Sequence, residues 1–225
     1  MHVSLVKYTQ DPEKTCAVAA MYSVKEKIDD AMFTGVDYDK AMSVLRRTVA
    51  SGHHSVLEHA SFTFNVSEVS RALTHQLVRH RIASYTQQSQ RYVKLKGKGY
   101  VTPEKIEKSE FAKEYHATID KINDFYTRML DAKIPAEDAR YILPNAAHTS
   151  IVITMNAREL LHFFSLRSCN RAQWEIRALS DEMLKQVKAV APAIFSKAGP
   201  SCIRGACSEG EWTCGKPRTS EPLFK

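Results

Sequence analysis

The stretch Ser61-Phe62-Thr63-Phe64-Asn65-Val66-Ser67 alternates polar and apolar residues without a break. A period of two puts Phe62, Phe64 and Val66 on one face of a strand and leaves the other face to water. A half-buried strand of this kind requires a sheet with a covered side. Two further strands are expected. Ser150-Ile151-Val152-Ile153-Thr154-Met155 is a β-branched run suited to a buried position, and Val3 and Leu5 alternate with polar residues at the start of the chain. The expected fold class is α+β: a central, mostly antiparallel sheet flanked by long helices in a single domain.

The helices are read from spacing and caps. Asp11-Pro12-Glu13 offers Asp as cap and Pro at the first helical position, ahead of Ala17, Val18, Ala20, Met21 and Val24. Cys16 in that helix is expected to be a small buried residue. Asp37 opens a helix through Ala41, Met42, Leu45 and Val49 that stops at Gly52. A helix starting at Ser67-Glu68-Val69 carries Gln76 and Arg79 toward its C-terminal end. A long helix is expected over 103–131, with one apolar stripe from Ile106 to Leu130. A short one lies between Pro135 and Pro144. Asn156 caps a helix that continues through Leu160, Phe163 and Phe164. The last long helix begins at Arg171, where Arg171 and Glu175 are spaced as an i,i+4 pair. The segment 94–99 reads as an exposed basic turn.

Arg79-His80-Arg81-Ile82-Ala83-Ser84-Tyr85-Thr86-Gln87-Gln88-Ser89-Gln90-Arg91-Tyr92 concentrates cations, hydroxyls and amides without a single carboxylate. Neighbouring cations repel, and a purely structural segment would interleave acids. Guanidinium groups bind phosphate bidentately, so one reading is a cradle for a phosphorylated ligand with a polar ring. The other is a solvated basic turn. The segment sits on a helix end and the loop after it. The formal net charge of +7 over 225 residues favours anionic partners, either nucleic acid or phosphorylated small molecules. No apolar run is long enough to span a membrane, and Met1-His2-Val3-Ser4-Leu5 lacks a signal-peptide pattern, so a cytoplasmic protein is expected.

His53, His54, Glu58 and His59 invite a metal reading, but the spacing is not His-Glu-x-x-His, and a loop that offers polar side chains to a ligand is preferred. Cys169, Cys202, Cys207 and Cys214 could make a four-thiolate zinc site, yet the usual tight pair is missing. Ordinary thiols are expected there, and no metal is expected in the chain. Five cysteines, an odd number, also argue against a simple disulfide framework. Arg158 and His162 are four apart and share a helix face, with Arg167 further along.

Arg79-His80-Arg81, followed after seven residues by Ser89 and then by Arg91, resembles the hallmark of the flavin-dependent thymidylate synthases. The His-rich segment 53–59, Asn156-Ala157-Arg158, Arg167 and Ala172-Gln173-Trp174-Glu175 look like family features in the right order, over about residues 52–177. The resemblance implies a domain over 1–198, followed by a Cys-containing tail over 199–225. It implies FAD, with NADPH and methylene-tetrahydrofolate as co-substrates, and a homotetramer whose active sites form between subunits. Flavin contacts would fall to Ser55, Arg79, His80, Arg81, Gln87, Asn156, Ala157, Arg158 and His162. The nucleotide, dUMP, would be held by Gln76, Leu77, Val78, Arg79, Gln87, Gln88, Ser89, Gln90, Arg91, Arg140 and Arg167. Arg167 would be catalytic, as a fixed cation that polarises the uracil ring; the plainer reading is a cap on its helix. The chain carries Thr86-Gln87 where the family commonly has Asn-Glu, and a neutral amide cannot act as a base. His162 stands where relatives often have Asn. A basic nucleic-acid-binding module without catalysis is the competing class, though no helix-turn-helix, zinc-finger or RNA-binding signature is present.

Overall fold

The computed structural model describes residues 1–26, 29–95 and 99–218. Its strands are β1 (His2–Tyr8), β2 (Ser61–Ser70), β3 (Ala83–Gln87) and β4 (His148–Asn156), in one antiparallel sheet of order β1-β2-β4-β3. The helices are α1 (Pro12–Tyr22), α2 (Ala31–Gly35), α3 (Tyr38–Ala50), α4 (Arg71–Leu77), α5 (Glu104–Glu107), α6 (Ala112–Asp131), α7 (Ala136–Ala139), α8 (Ala157–Arg167), α9 (Trp174–Val190) and α10 (Pro192–Phe195). The α+β class read from the sequence is the class observed. No helix among the described residues is long and apolar enough to cross a membrane.

The chain divides into two compact units, each assembled from separate segments. One contains residues 1–2, 66–79 and 86–152; the other contains 3–65, 80–85 and 153–225.

In the larger unit α1 packs on α3, and α8 packs on α9, which meets α10. Phe62, Phe64, Leu160, Phe163, Phe164, Leu179, Met183 and Phe195 are wholly buried there. Their rings form a continuous edge-to-face series. Phe62 meets Phe195 at 5.5 Å, Phe195 meets Phe164 at 6.0 Å, and Phe164 meets Phe163 at 5.7 Å between centroids. Such contacts add to simple area burial. Cys16 is buried as expected, and burial pushes its thiol pKa up to about 12, so it is inert as a nucleophile. In the smaller unit α6 packs on α7. Tyr126, Leu130, Leu95 and Ala139 form a buried cluster, and the Tyr126 hydroxyl accepts from the Leu95 N–H at 3.3 Å.

Several boundaries differ from the sequence reading, for identifiable reasons. The strand at 61–67 runs on to Ser70. The burial alternation changes phase at Glu68, which takes φ 58°, and Ser70 then caps α4 by accepting from the Leu73 N–H at 3.0 Å. The helix therefore starts at Arg71, not Ser67. The long helix over 103–131 is broken before Ala112, where Ser109 Oγ donates to the Ile106 carbonyl and accepts from the Phe111 N–H. A serine bonding its own backbone offers the chain an alternative to helix. Asp11 precedes α1 in a left-handed conformation and makes no side-chain cap bond, whereas Pro12 does stand first. The last long helix starts at Trp174, because the Gln173 side chain accepts from the Glu175 and Ile176 N–H groups. Arg171 lies ahead of it and donates to the Trp212 carbonyl. Asp37 caps α3 as expected, accepting from the Lys40 N–H, and Gly52 takes φ 78° beyond its end. Residues 96–98 of the basic turn at 94–99 lie outside the described residues, as do 219–225 of the tail.

Candidate active site

The arginine-rich segment is not a plain loop. Ala83–Gln87 within it is β3, next to β4 at the end of the sheet order. An edge strand made of Ala, Ser, Tyr, Thr and Gln carries no hydropathic alternation that would reveal it. The chain crosses from the larger unit to the smaller within this strand, after Tyr85. The candidate residues therefore fall into two sets.

In the larger unit the set is built on α8. Asn156 caps that helix, its Oδ1 accepting from the Glu159 N–H at 2.8 Å. The Ala157 side chain is buried and its N–H donates to the Ala60 carbonyl, so its part is to place its neighbours. Arg158 is exposed and pairs with Glu58 of the 3-10 turn His54–His59, which also displays Ser55 at the surface. One turn further on, Glu159 is buried, and its Oε1 lies 3.0 Å from His80 Nδ1. His80 Nε2 in turn accepts from Arg167 Nε at 3.1 Å. The His80 ring is buried at 4% exposure, with Phe163 edge-on at 5.0 Å and His162 at 5.6 Å. The Tyr85 hydroxyl donates to the His80 carbonyl at 2.9 Å.

These bonds fix the tautomer. Arg167 has no acceptor to offer, so His80 Nε2 must present its lone pair, and the ring proton sits on Nδ1 and is donated to Glu159. Burial first, then the Arg167 and His162 charges, lowers the His80 pKa from 6.5 to about 4, so the imidazole is neutral near pH 7. Burial raises the Glu159 carboxyl, with His162 working against that, and lowers the Arg167 guanidinium, with Tyr85 working against that. Burial also raises the Tyr85 phenol.

His80, Glu159 and His162 have ligand atoms within 4.8 Å of one another and are the group of this kind among the described residues. Both ring nitrogens of His80 are engaged by protein here, Nδ1 with Glu159 and Nε2 with Arg167.

The state of His80 sets a pH dependence. As pH falls through 6.5 an unfolded chain takes up a proton that the folded site refuses until about 4. The stability this group contributes is complete above that window and is lost across it, at up to about 1.4 kcal/mol per pH unit. The raised Glu159 carboxyl works in the opposite sense, so the informative quantity is a difference. Unfolding midpoints measured from pH 7 to pH 4 are expected to fall less steeply for His80→Gln than for the parent. Equal slopes in the two proteins would assign the dependence to other groups.

In the smaller unit the set lies around the end of β3 and α7. Gln87 Nε2 donates to Thr74 Oγ1 at 3.1 Å and Thr149 Oγ1 at 3.2 Å, which spends both amide hydrogens on the protein. The Gln88 N–H donates to the Ser150 carbonyl, extending the pairing with β4 by one residue. Ser89 Oγ accepts from the Arg91 N–H at 3.2 Å. Arg91 Nε donates to Glu137 Oε2 at 3.0 Å, and Arg140 Nε donates to the Glu137 carbonyl at 3.1 Å. One acidic residue thus orients two arginines. Arg140 also lowers the pKa of half-buried Arg71, after burial itself. Gln76 and Gln90 are half-buried, and Arg79 is exposed at the end of α4. The Leu77 side chain is wholly buried, so only its backbone could meet a ligand, while Val78 is exposed. Arg81 belongs to the larger unit and is exposed.

Sequence reasoning passed over Glu159, Tyr85 and Arg71. An acid in the first turn of a helix reads as a dipole partner, and nothing local marks Glu159 as the partner of a histidine 79 residues earlier. The thiols of Cys169, Cys202, Cys207 and Cys214 are free and line one cavity, but they do not form a group of ligand distance.

The sequence model of the family described as thymidylate synthase complementing protein matches residues 4–193. The chain is 49% identical to a protein named flavin-dependent thymidylate synthase from Geobacter sulfurreducens, covering 100% of this chain and 98% of that one. It is 44% identical to the protein of that name from Clostridium tetani, over 99% of this chain and 96% of the other. A third, from Sulfolobus acidocaldarius, is 47% identical over 90% of this chain and 78% of its own length.

Proposed function

Because the chain belongs to the thymidylate synthase complementing protein family, and its members compared above are flavin-dependent thymidylate synthases, we propose that it is an enzyme that methylates dUMP reductively to dTMP, with FAD as its flavin, methylene-tetrahydrofolate as carbon donor and NADPH as reductant. The observation that carries the reading is the Arg167–His80–Glu159 chain, a half-buried cation held by a neutral, buried imidazole inside the matched segment.

The donor set suits these ligands. Arg81, Arg158, His162 and Ser55 offer cations and a hydroxyl to the phosphates and ring of a flavin, with Asn156 and Ala157 shaping the start of α8. Arg79, exposed just beyond α4, is a further cation suited to a phosphate. Arg91, Arg140, Gln76, Gln88, Ser89, Gln90 and the Leu77–Val78 backbone suit a nucleotide phosphate and sugar, and the Gln87 carbonyl oxygen suits a ring N–H. When bound, the flavin supplies the hydride that reduces the transferred methylene. The protein's own part is placement and electrostatics. Uracil is a poor carbon nucleophile at C5, and a fixed cation beside N3 and its flanking carbonyl draws negative charge to that side and raises density at C5. Arg167 is suited to that task because it stays charged where a lysine would lose its proton. A homotetramer with active sites between subunits is part of the same reading.

The test is an absorbance spectrum of the purified protein, followed by chromatography of the flavin released by acid and titration with dUMP. A colourless protein that binds neither flavin nor dUMP would sink the proposal. FMN in place of FAD would change the cofactor alone. Light scattering tests the tetramer.

Ser89 is assigned to nucleotide binding, since the partner of its Oγ is a backbone N–H donor and not a base. Ser89→Ala is accordingly expected to retain measurable turnover. A nucleotide trapped covalently on Ser89, seen by mass spectrometry, would overturn the assignment.

A further inference from the structure

Arg167 can polarise a ring only if its guanidinium is held in one direction. Its Nε is bonded to His80 Nε2, and that bond exists only while Nε2 is bare. A neutral imidazole has two tautomers of similar energy in water. In one the Nε2 lone pair faces the arginine; in the other an N–H faces an N–H and the contact becomes repulsive. What selects between them is the partner of Nδ1. That partner is Glu159 Oε1, at 3.0 Å, on a side chain that is 7% exposed. Glu159 is itself held: it lies in the first turn of α8, and its N–H is bonded to the Asn156 cap.

We propose that Glu159 is the positioning residue of this site: by accepting the His80 Nδ1 proton it sets the imidazole in the tautomer whose Nε2 orients Arg167. The inference rests on the role given to Arg167 above. The other groups that face His80 cannot do this work. His162 approaches with its ring at 5.6 Å, Phe163 is apolar, and Tyr85 is bonded to the His80 carbonyl, not to the ring. Glu159 acts through His80, whose Nδ1 it faces.

The test combines a spectroscopic reading with a double-mutant cycle on the flavin-loaded, full-length protein. With 15N-labelled histidine, the His80 signals assigned by comparison with His80→Gln are expected to show a protonated Nδ1 and a bare Nε2. A protonated Nε2 in the parent protein would overturn the inference whatever the variants do. In the cycle, Glu159→Leu is expected to lower turnover about tenfold while the apparent KM for dUMP moves less than about twofold. In an Arg167→Lys background the same substitution is expected to cost less than about twofold, because the residue it acts on is already gone. Glu159→Gln keeps a carbonyl acceptor and is expected to recover most of the loss. Losses that multiply in the double variant would mean that Glu159 acts independently of Arg167. Full turnover of Glu159→Leu beside an impaired Arg167→Lys would remove Glu159 from the mechanism and leave Arg167 in place. Full turnover of Arg167→Lys would remove the premise itself. If Glu159→Leu does not fold, the tautomer and Glu159→Gln decide, and a Gln variant with inverted tautomer and normal turnover counts against the proposal.

Discussion

Arg167→Lys is expected to fold, to keep its flavin and to lose about a hundredfold or more in turnover, with a smaller loss in dUMP affinity. The size follows from what fixed charges contribute in a site closed to water, where removing one donor costs about 10²–10³ in rate. The direction follows from geometry. Arg167 bonds His80 through its Nε, and a guanidinium carries two further nitrogens in the same rigid plane. Lysine has one ammonium at the end of a flexible stem. It can bond His80 or reach a ring, not both, and burial lowers its pKa toward loss of the charge. The measurement is single-turnover kinetics beside an absorbance spectrum. Near-normal turnover would show that Arg167 only caps α8, a role worth about 0.3–1 kcal/mol.

Arg91→Ala is expected to weaken dUMP binding about tenfold to a hundredfold and to leave flavin binding unchanged. Loss of a charge-assisted contact to phosphate costs about 1.5–3 kcal/mol. Arg91 is half-exposed and paired through Nε with a half-exposed Glu137, so the pair itself adds little to stability. A loss of affinity without a matching drop in unfolding midpoint is therefore the specific signature. Glu137→Gln is expected to show a milder version, since it loosens Arg91 and leaves the guanidinium in place. Calorimetric titration with an unchanged dUMP affinity for Arg91→Ala would detach Arg91 from the nucleotide.

What was legible in the sequence was whatever carries a periodic or local signal. Phe62, Phe64 and Val66 of β2 sit on the buried face because period two marks them, and the Asn156 and Asp37 caps work because a cap bonds within its own turn; β4, read from its β-branched run as buried throughout, buries Ile151, Ile153 and Met155 but exposes Val152, because it too has one covered face. β3 was illegible because a polar strand at a sheet edge has no apolar face to declare. The break before Ala112 was illegible because one serine's local bonds outweigh a stripe that is otherwise continuous. At the site, Arg91, His80 and Arg167 announced themselves by crowding cations or by motif. Glu159 did not, because its meaning depends on a partner 79 residues away. Arg71 did not either: as the first residue of α4 it reads as an ordinary helix residue, and only burial beside Arg140 sets it apart. The Thr86-Gln87 departure also gains a physical sense. A carboxylate at 87 could not donate to the two threonine hydroxyls that Gln87 Nε2 now bonds, so the amide is built into its neighbours.

The edge-to-face ring series that begins at Phe62 does not stop at Phe163; its next member is the imidazole of His80. Close-packed rings pass on a displacement instead of absorbing it. A change in the volume of Phe195 is therefore expected to be felt at His80, though Phe195 has no chemistry to perform. In a laboratory evolution experiment the residues that tune this enzyme's rate would include ones no ligand ever touches, and a core repacked for heat resistance alone would trade away turnover.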